Sequence, residues 1–379
     1  MRIAHFSDCY TPRINGVTTS IQVLKQALEE AGHEVHVFVP NYPKVAPEPG
    51  VHRMASMYMP LQPEDRMGVP WPPSQVKALF GQRYDAVHVH TPFNMGWLGW
   101  SKSRLQRTPM VFTHHTLWEE YAHYLKIVPI KVGRWVGRQL CDFYFQRSAA
   151  IVMPSQQVAD SLVGSRVKRP CRVIPTGIRC QDLQGGEPQV VWDELGVPAG
   201  TSIFLYVGRM GKEKSIDFLL RAFAEYREQG GEAVFVLIGG GPELAGLKNL
   251  SEQLRLGESV RFIGYRTRDR LKNYLSVARL FLFASQTETQ GLVLLEAAAA
   301  GVPVVAVKAS GVNEAVENNG SGCLLDPGDL TGCVSAMKRL VFSHEEHARL
   351  SQRARVWADS FSAREMGRKM VDLYRSLGA

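Results

Sequence analysis

Two doubly wound α/β domains, each a parallel sheet covered by helices, are what this sequence predicts. Three observations carry that expectation. Short apolar runs of strand length alternate with amphipathic stretches along the chain, the pattern of repeated strand–helix units. The chain has 379 residues, too many for one ordinary domain and suited to two of roughly 150–200. Hydrophobic residues make up 45% and charged residues 21%, enough for sizeable cores and incompatible with wholesale disorder.

The elements follow in order. Arg2–Phe6 opens as a short strand, and Thr11–Thr18, rich in Pro, Asn and Gly, reads as a loop. Ile21, Leu24, Leu28 and Ala31 recur at helical spacing, and Gly32 stops that helix. Val35, Val37 and Val39 alternate as a strand ending at Pro40. Ala86–His90, Pro109–Thr113 and Ala150–Met153 read as further buried strands. Ile174-Pro175-Thr176-Gly177 closes this series, and the polar stretch Asp182–Gly200 reads as including the inter-domain connection. A second series places strands at Ser202–Val207, Ala233–Ile238, Ser259–Ile263, Leu280–Ala284 and Pro303–Val307, each followed by a helix-like stretch. The expected domains are 1–178 and 179–356. Sheets of this kind bind ligands beyond the carboxyl ends of their strands, so the loops there are the candidates for chemistry.

Composition narrows the function classes. The longest apolar runs, such as Ala297–Val307, fall short of the roughly 20 residues of a spanning helix. The start turns polar within a few residues, unlike a signal peptide, and six scattered cysteines form no CxxC pair. A cytosolic chain without a disulfide framework is expected. The net charge of +8 is uneven. Residues 1–179 hold 21 basic and 12 acidic residues, and the remainder 23 and 24, giving +9 and −1. The first half therefore favours an anionic surface, lipid headgroups or nucleic acid.

The sharpest constellation is Glu288-Thr-Gln-Gly-Leu-Val-Leu-Leu-Glu296, which follows the strand at 280–284. It puts one carboxylate on a loop and one in the helix that the loop opens. The amides of Gly291, Leu292 and Val293 then lie at a helix N-terminus, a ready anion site. A capping glutamate and an ordinary amphipathic one would give the same pattern. In Gly208-Arg209-Met210-Gly211-Lys212-Glu213-Lys214, Arg209 and Lys214 supply two cations on a strand-to-helix loop, fit for a diphosphate or for a solvated turn. Gly239-Gly240-Gly241 follows another strand but lacks the lysine of a P-loop. In the first half, Asn15-Gly16-Val17 and the strand end Phe112-Thr113-His114-His115-Thr116 are the candidates, a strand-end histidine being equally at home as a structural residue. No Asp-x-Asp occurs and no HExxH-type spacing is present, so no metal site is expected.

Taken together, these segments resemble the retaining family-4 glycosyltransferases of GT-B fold across nearly the full chain. Ala297–Val305 and Ser310-Gly311-Val312-Asn313-Glu314 continue the likeness. The resemblance implies two Rossmann-like domains with the active site in the cleft between them, and a C-terminal helix at about 357–379 crossing back onto the first. It implies a nucleotide-sugar donor, no cofactor and no metal. Glu296 would bind the ribose, Arg209 and Lys214 the diphosphate, and Glu288 the transferred sugar's hydroxyls. Amides of Gly291, Leu292 and Val293 would add to the phosphate clamp, and Gly16 would reach it from the first domain. His115 matches the family's active-site histidine, and His114 its variable neighbour. Gln290 departs from the Phe of many members, and Ser310-Gly311 from a pair of glycines.

His115–Tyr124 together with Thr287–Gly291 looks most like the diacylglycerol glucosyltransferase branch, which favours UDP-glucose or UDP-galactose as donor and a lipid acceptor. The basic first half supports a membrane-facing acceptor independently. Lys131, Arg134, Trp135 and Arg138 lie in a segment where Lys126 and Arg147 accompany Ile127, Val128, Ile130, Val132, Val136, Leu140, Phe143 and Phe145. A basic, aromatic-bearing amphipathic helix suits a membrane interface, as it does a helix packed on its own domain. The expectation is a cytoplasmic enzyme peripheral to the inner face of the cell membrane. Its rivals are a family-4 transferase with a soluble or polysaccharide acceptor, a sugar epimerase of similar fold, and a basic nucleic-acid-binding protein. No recognised nucleic-acid motif supports the last.

Overall fold

The computed structural model describes every residue except 14, 59–65, 70–72, 116–129, 165–166 and 289. The chain forms two compact units, Met1–Gly177 with Ala363–Ala379, and Ile178–Ser362.

In the first unit, seven parallel strands run in the order β3-β2-β1-β6-β7-β8-β9. They are β1 (Arg2–Phe6), β2 (Glu34–Pro40), β3 (Val51–Met54), β6 (Ala86–Val89), β7 (Met110–Thr113), β8 (Ala150–Met153) and β9 (Cys171–Val173); β4 (Ser56–Tyr58) and β5 (Arg66–Gly68) form a separate antiparallel pair. The helices are α1 (Gly16–Glu30), α2 (Pro73–Gly81), α3 (Asn94–Gln106), α4 (Ile130–Arg147) and α5 (Gln156–Leu162). Alternation sorts the side chains onto two faces. Ile3, Ala86, Val111 and Val152 pack beneath α1, whereas Ala4, Phe6, Val87, Val89 and Phe112 pack with residues of α3, α4 and α5.

In the second unit, six parallel strands run β12-β11-β10-β13-β14-β15. The elements are α6 (Pro188–Leu195), β10 (Ile203–Val207), α7 (Ile216–Glu228), β11 (Val234–Ile238), α8 (Leu244–Gln253), β12 (Val260–Gly264), α9 (Arg268–Val277) and β13 (Ala278–Phe283). They continue with α10 (Leu292–Ala300), β14 (Val304–Val307), α11 (Ser310–Ala315), β15 (Gly322–Leu325), α12 (Leu330–Phe342) and α13 (His344–Asp359). Runs such as Val-Phe-Val-Leu-Ile in β11 are buried throughout, as a parallel sheet covered on both faces requires.

Three expectations are corrected. The loop after β1 ends at Asn15, whose side chain accepts a hydrogen bond from Thr18 N at 2.8 Å and starts α1 at Gly16. The stretch 182–200 contains α6, which buries Val191 and Leu195 in the second core and stops at Gly196. The return to the first unit starts at Ala363 rather than near 357, because Trp357 to Asp359 complete α13. From there α14 (Ala363–Ser376) lays Met366, Met370, Leu373 and Tyr374 into the core beneath α1. The approach is close enough that a Cβ on Gly367 would sit 3.0 Å from that of Ala27.

Candidate active site

In the second sheet the strand order reverses between β10 and β13, neighbours in space but not in chain. The loops leaving their carboxyl ends carry Arg209, Lys214 and Glu288. Backbone bonds brace the first of these loops against the glycines after β11: Met210 N donates to Gly240 O at 2.8 Å and Glu243 N to Met210 O at 3.0 Å. Only glycine fits at Gly239, with φ of +132° and a would-be Cβ 2.0 Å from the Gly208 carbonyl oxygen. The Arg209 carbonyl accepts the Tyr206 hydroxyl at 3.0 Å, while its guanidinium, 45% exposed, lies 3.8 Å from Glu213. Lys214 Nζ is ion-paired with the Glu288 carboxylate and lies 3.3 Å from Ser285 Oγ. Burial, with the negative charges of Glu288 and Glu213, pushes the Tyr206 phenol up, so it stays a neutral donor.

Glu288 is fixed through its backbone as well, since its carbonyl accepts Gly311 N at 2.8 Å. Gly291, at φ +68°, caps α10 without a side-chain bond, and Leu292 and Val293 form its first turn. N–H groups there have no acceptor within the helix. Glu296 lies one turn further on, its side chain 15% exposed, paired with Arg268 Nη2 at 2.6 Å. Burial raises its carboxyl pKa, and Arg268 opposes the rise. The structure thus brings Lys214 and Glu288 into direct contact and puts Arg209 on the same loop. Glu296 is held instead by Arg268, at the start of α9.

In the first unit, Gly16 opens α1 beyond β1 and His115 follows β7. His115 Nε2 lies 2.9 Å from His90 Nδ1, and His90 Nε2 lies 2.7 Å from His5 Nδ1. Burial lowers the pKa of His115 to about 4, so the ring is neutral at pH 7. Residues 116–124, which carry part of the subfamily likeness, lie outside the described residues, as does Thr289.

Lys131, Arg134, Trp135 and Arg138 are exposed on α4, at the i, i+3, i+4, i+7 spacing of one helix face. Trp135 is 61% exposed, and Val132 and Val136 beside it are exposed too. Phe145 is core, packed on Phe112, and Phe143 is half-buried against Trp97 and Trp100. Lys126, Ile127 and Val128 lie outside the described residues.

Sequence reading missed Arg268, Ser285, His5 and His90. His90 had a signal: it follows β6 two residues after His88, and that spacing places both on one face. His5 had only its place in β1. Arg268 and Ser285 had none, being single residues brought in by the fold.

The model for Glycosyltransferase Family 4 matches residues 14–182, and that for Glycosyl transferases group 1 matches 193–357. An alpha-monoglucosyldiacylglycerol synthase of Streptococcus pneumoniae is 30% identical over 378 residues, 96% of this chain and 84% of the relative. The chain is a family-4 glycosyltransferase. A D-inositol 3-phosphate glycosyltransferase of Corynebacterium jeikeium is 30% identical over 310 residues, 78% of this glycosyltransferase and 73% of the relative. Among solved structures, Anabaena HepE in complex with UDP-glucose superposes with a TM-score of 0.75 at 20% identity, covering 99% of this chain and 100% of that one. The fold is GT-B.

Proposed function

We propose that this glycosyltransferase moves glucose from UDP-glucose to diacylglycerol at an anionic membrane surface, retaining the anomeric configuration and using no metal. The likeness to a diacylglycerol glucosyltransferase along 96% of the chain carries this reading. The exposed basic face of α4 supports it, because cations flanking Trp135 match what an interfacial helix presents to anionic headgroups.

In this reading Glu296 binds the ribose diol, and Arg209 and Lys214 neutralise the diphosphate. Gly16 and the amides of Gly291, Leu292 and Val293 contribute donors, while Glu288 and His115 hold sugar hydroxyls. Lys214 is held beside Glu288 and Ser285, so the cation and the sugar-binding carboxylate of this reading stand next to each other. The glycosidic bond to the diphosphate breaks as the acceptor oxygen attacks from the same face, and the departing phosphate takes the acceptor's proton. Fixed cations beside the leaving group then supply the main transition-state stabilisation. UDP-galactose is the donor to compare.

The test is transfer of labelled glucose from UDP-glucose into diacylglycerol vesicles with excess EDTA, with the product's anomeric configuration read by NMR. An α-linked glucolipid formed in EDTA is expected. Dependence on magnesium or manganese would overturn the metal-free clamp, and a β-linked product would overturn retention. The inositol-phosphate relative favours one second reading, a soluble phosphorylated polyol as acceptor. Transfer to D-inositol 3-phosphate with none to diacylglycerol would establish it.

A further inference from the structure

Arginine–glutamate pairs in the second unit use their carboxylates differently. On the surface, Arg353 grips Glu317 with its fork, Nε on Oε2 and Nη2 on Oε1 at 2.5 and 2.6 Å, so both oxygens are occupied. Arg268 meets Glu296 end-on instead. Its Nη2 donates to Oε1 at 2.6 Å, and Oε2 accepts no hydrogen bond among the described residues. Arg268 Nε meanwhile is buried without a partner. A pair serving stability alone would close the fork and satisfy that N–H.

Nor does α9 call for a cation at its first residue, since a helix N-terminus favours negative charge and Asp269 already supplies it. Glu296 does need one. Its side chain is only 15% exposed, on the helix whose opening amides are assigned to the donor's phosphates. Burial works against a charged carboxyl there, and Arg268 is the charged group that opposes it. The other elements packed on α10 are α13, α11, β14 and the turn Cys180–Leu183, and they supply no substitute. Arg355 of α13 donates to Ala300 O and Ser351 Oγ, Asp182 of the turn pairs with Arg179, and β14 is apolar throughout. Glu314 of α11 is itself an acid, and Arg270 of α9 turns to Glu194.

We propose that Arg268 is a positioning residue: it holds Glu296 charged and in place by one oxygen, and leaves the other to accept from the ribose of the nucleotide-sugar donor. A neutral carboxyl would carry an O–H of its own and lose the strength of a charge-assisted acceptor. That the ligand is a ribose rests on the role proposed for Glu296; the hold of Arg268 on the carboxyl does not.

Carboxyl 13C NMR of the glutamate-labelled, unliganded full chain reads the titration of Glu296 without substrate, the signal being assigned by its loss in Glu296→Ala. In wild type Glu296 is expected to be charged at pH 7. Arg268→Gln keeps an N–H donor but removes the charge, and should raise the midpoint by about 1–3 pH units, the usual effect of an adjacent guanidinium on a carboxyl. Arg268→Lys keeps the charge and should return the midpoint toward that of wild type, which loss of a merely structural contact would not do. Calorimetry then follows UDP-glucose, whose diphosphate diester stays ionised throughout this range. One pH unit below its raised midpoint, Arg268→Gln should bind about tenfold more weakly than at its high-pH plateau. Wild type and Arg268→Lys should bind at that pH as they do at theirs. Three results would overturn the proposal: a neutral Glu296 at pH 7 in wild type, a midpoint unmoved in folded Arg268→Gln, or one raised equally in Arg268→Lys. If the midpoint moves as expected while Glu296→Ala binds UDP-glucose as tightly as wild type, the ribose role alone falls.

Discussion

At the scale of single residues, burial decides how the histidines titrate. His5 and His115 have folded pKa values of about 3 and 4, below the 6.5 of an exposed ring. Between those values the unfolded chain binds more protons, so stability rises with pH up to 6.5 and falls on acidification, by roughly 1.4 kcal/mol per pH unit for each such group. Denaturant melts between pH 7 and pH 5 should therefore show a loss that is smaller in His5→Asn. The donor loops give a second expectation. Glu296→Ala should weaken UDP-sugar binding by roughly 1.5–3 kcal/mol, the value of a charge-assisted hydrogen bond, measured by calorimetry. Unchanged affinity would remove Glu296 from the donor site. Sequence made the two glutamates, Arg209, Lys214 and His115 visible because each sits at a strand end or helix start. It could not show that Arg268 holds Glu296, since nothing local ties α9 to α10.

Elements carry their own tests. Gly239 and Gly291 shape the loops that present the cations and open α10. Gly239→Ala drives a methyl into the Gly208 carbonyl and should displace Arg209, reducing turnover more than Gly291→Ala. The latter should cost about 1–2 kcal/mol of stability, the left-handed penalty, because the one tight neighbour of its Cβ is the flexible end of Leu294 at 3.0 Å, with Ala315 Cβ and Gly311 O in ordinary contact at 3.5 Å. Chemical denaturation and donor turnover of both variants would rank them. On α4, replacing Lys131, Arg134 and Arg138 together with Glu should lower vesicle binding and lipid glucosylation while sparing slow donor hydrolysis. Wild-type sedimentation with vesicles would show that another surface meets the membrane. The interior strands were legible because β10 and β11 are continuous apolar runs. Three edge strands, β3, β9 and β15, were not: at three or four residues, sequences such as Cys171-Arg172-Val173 carry little apolar pattern, whereas the longer edge strand β12 was read.

At the scale of the whole molecule, charge and connectivity matter most. Residues 1–179 carry +9 against −1 for the rest, so vesicle binding should rise with anionic lipid and weaken with salt as screening shortens the reach of charge. Binding that is indifferent to both would remove electrostatics from membrane association. Connectivity has a different consequence. The second unit is one unbroken stretch, Ile178–Ser362, whereas the first is completed only by α14, which follows the second in the chain. A chain truncated after Ser362 therefore keeps every residue of the second unit but leaves α1 and the imidazoles beneath it without Met366, Met370 and Tyr374. Purified, it should resist protease across the second unit and be cut within the first, the earlier half of the sequence.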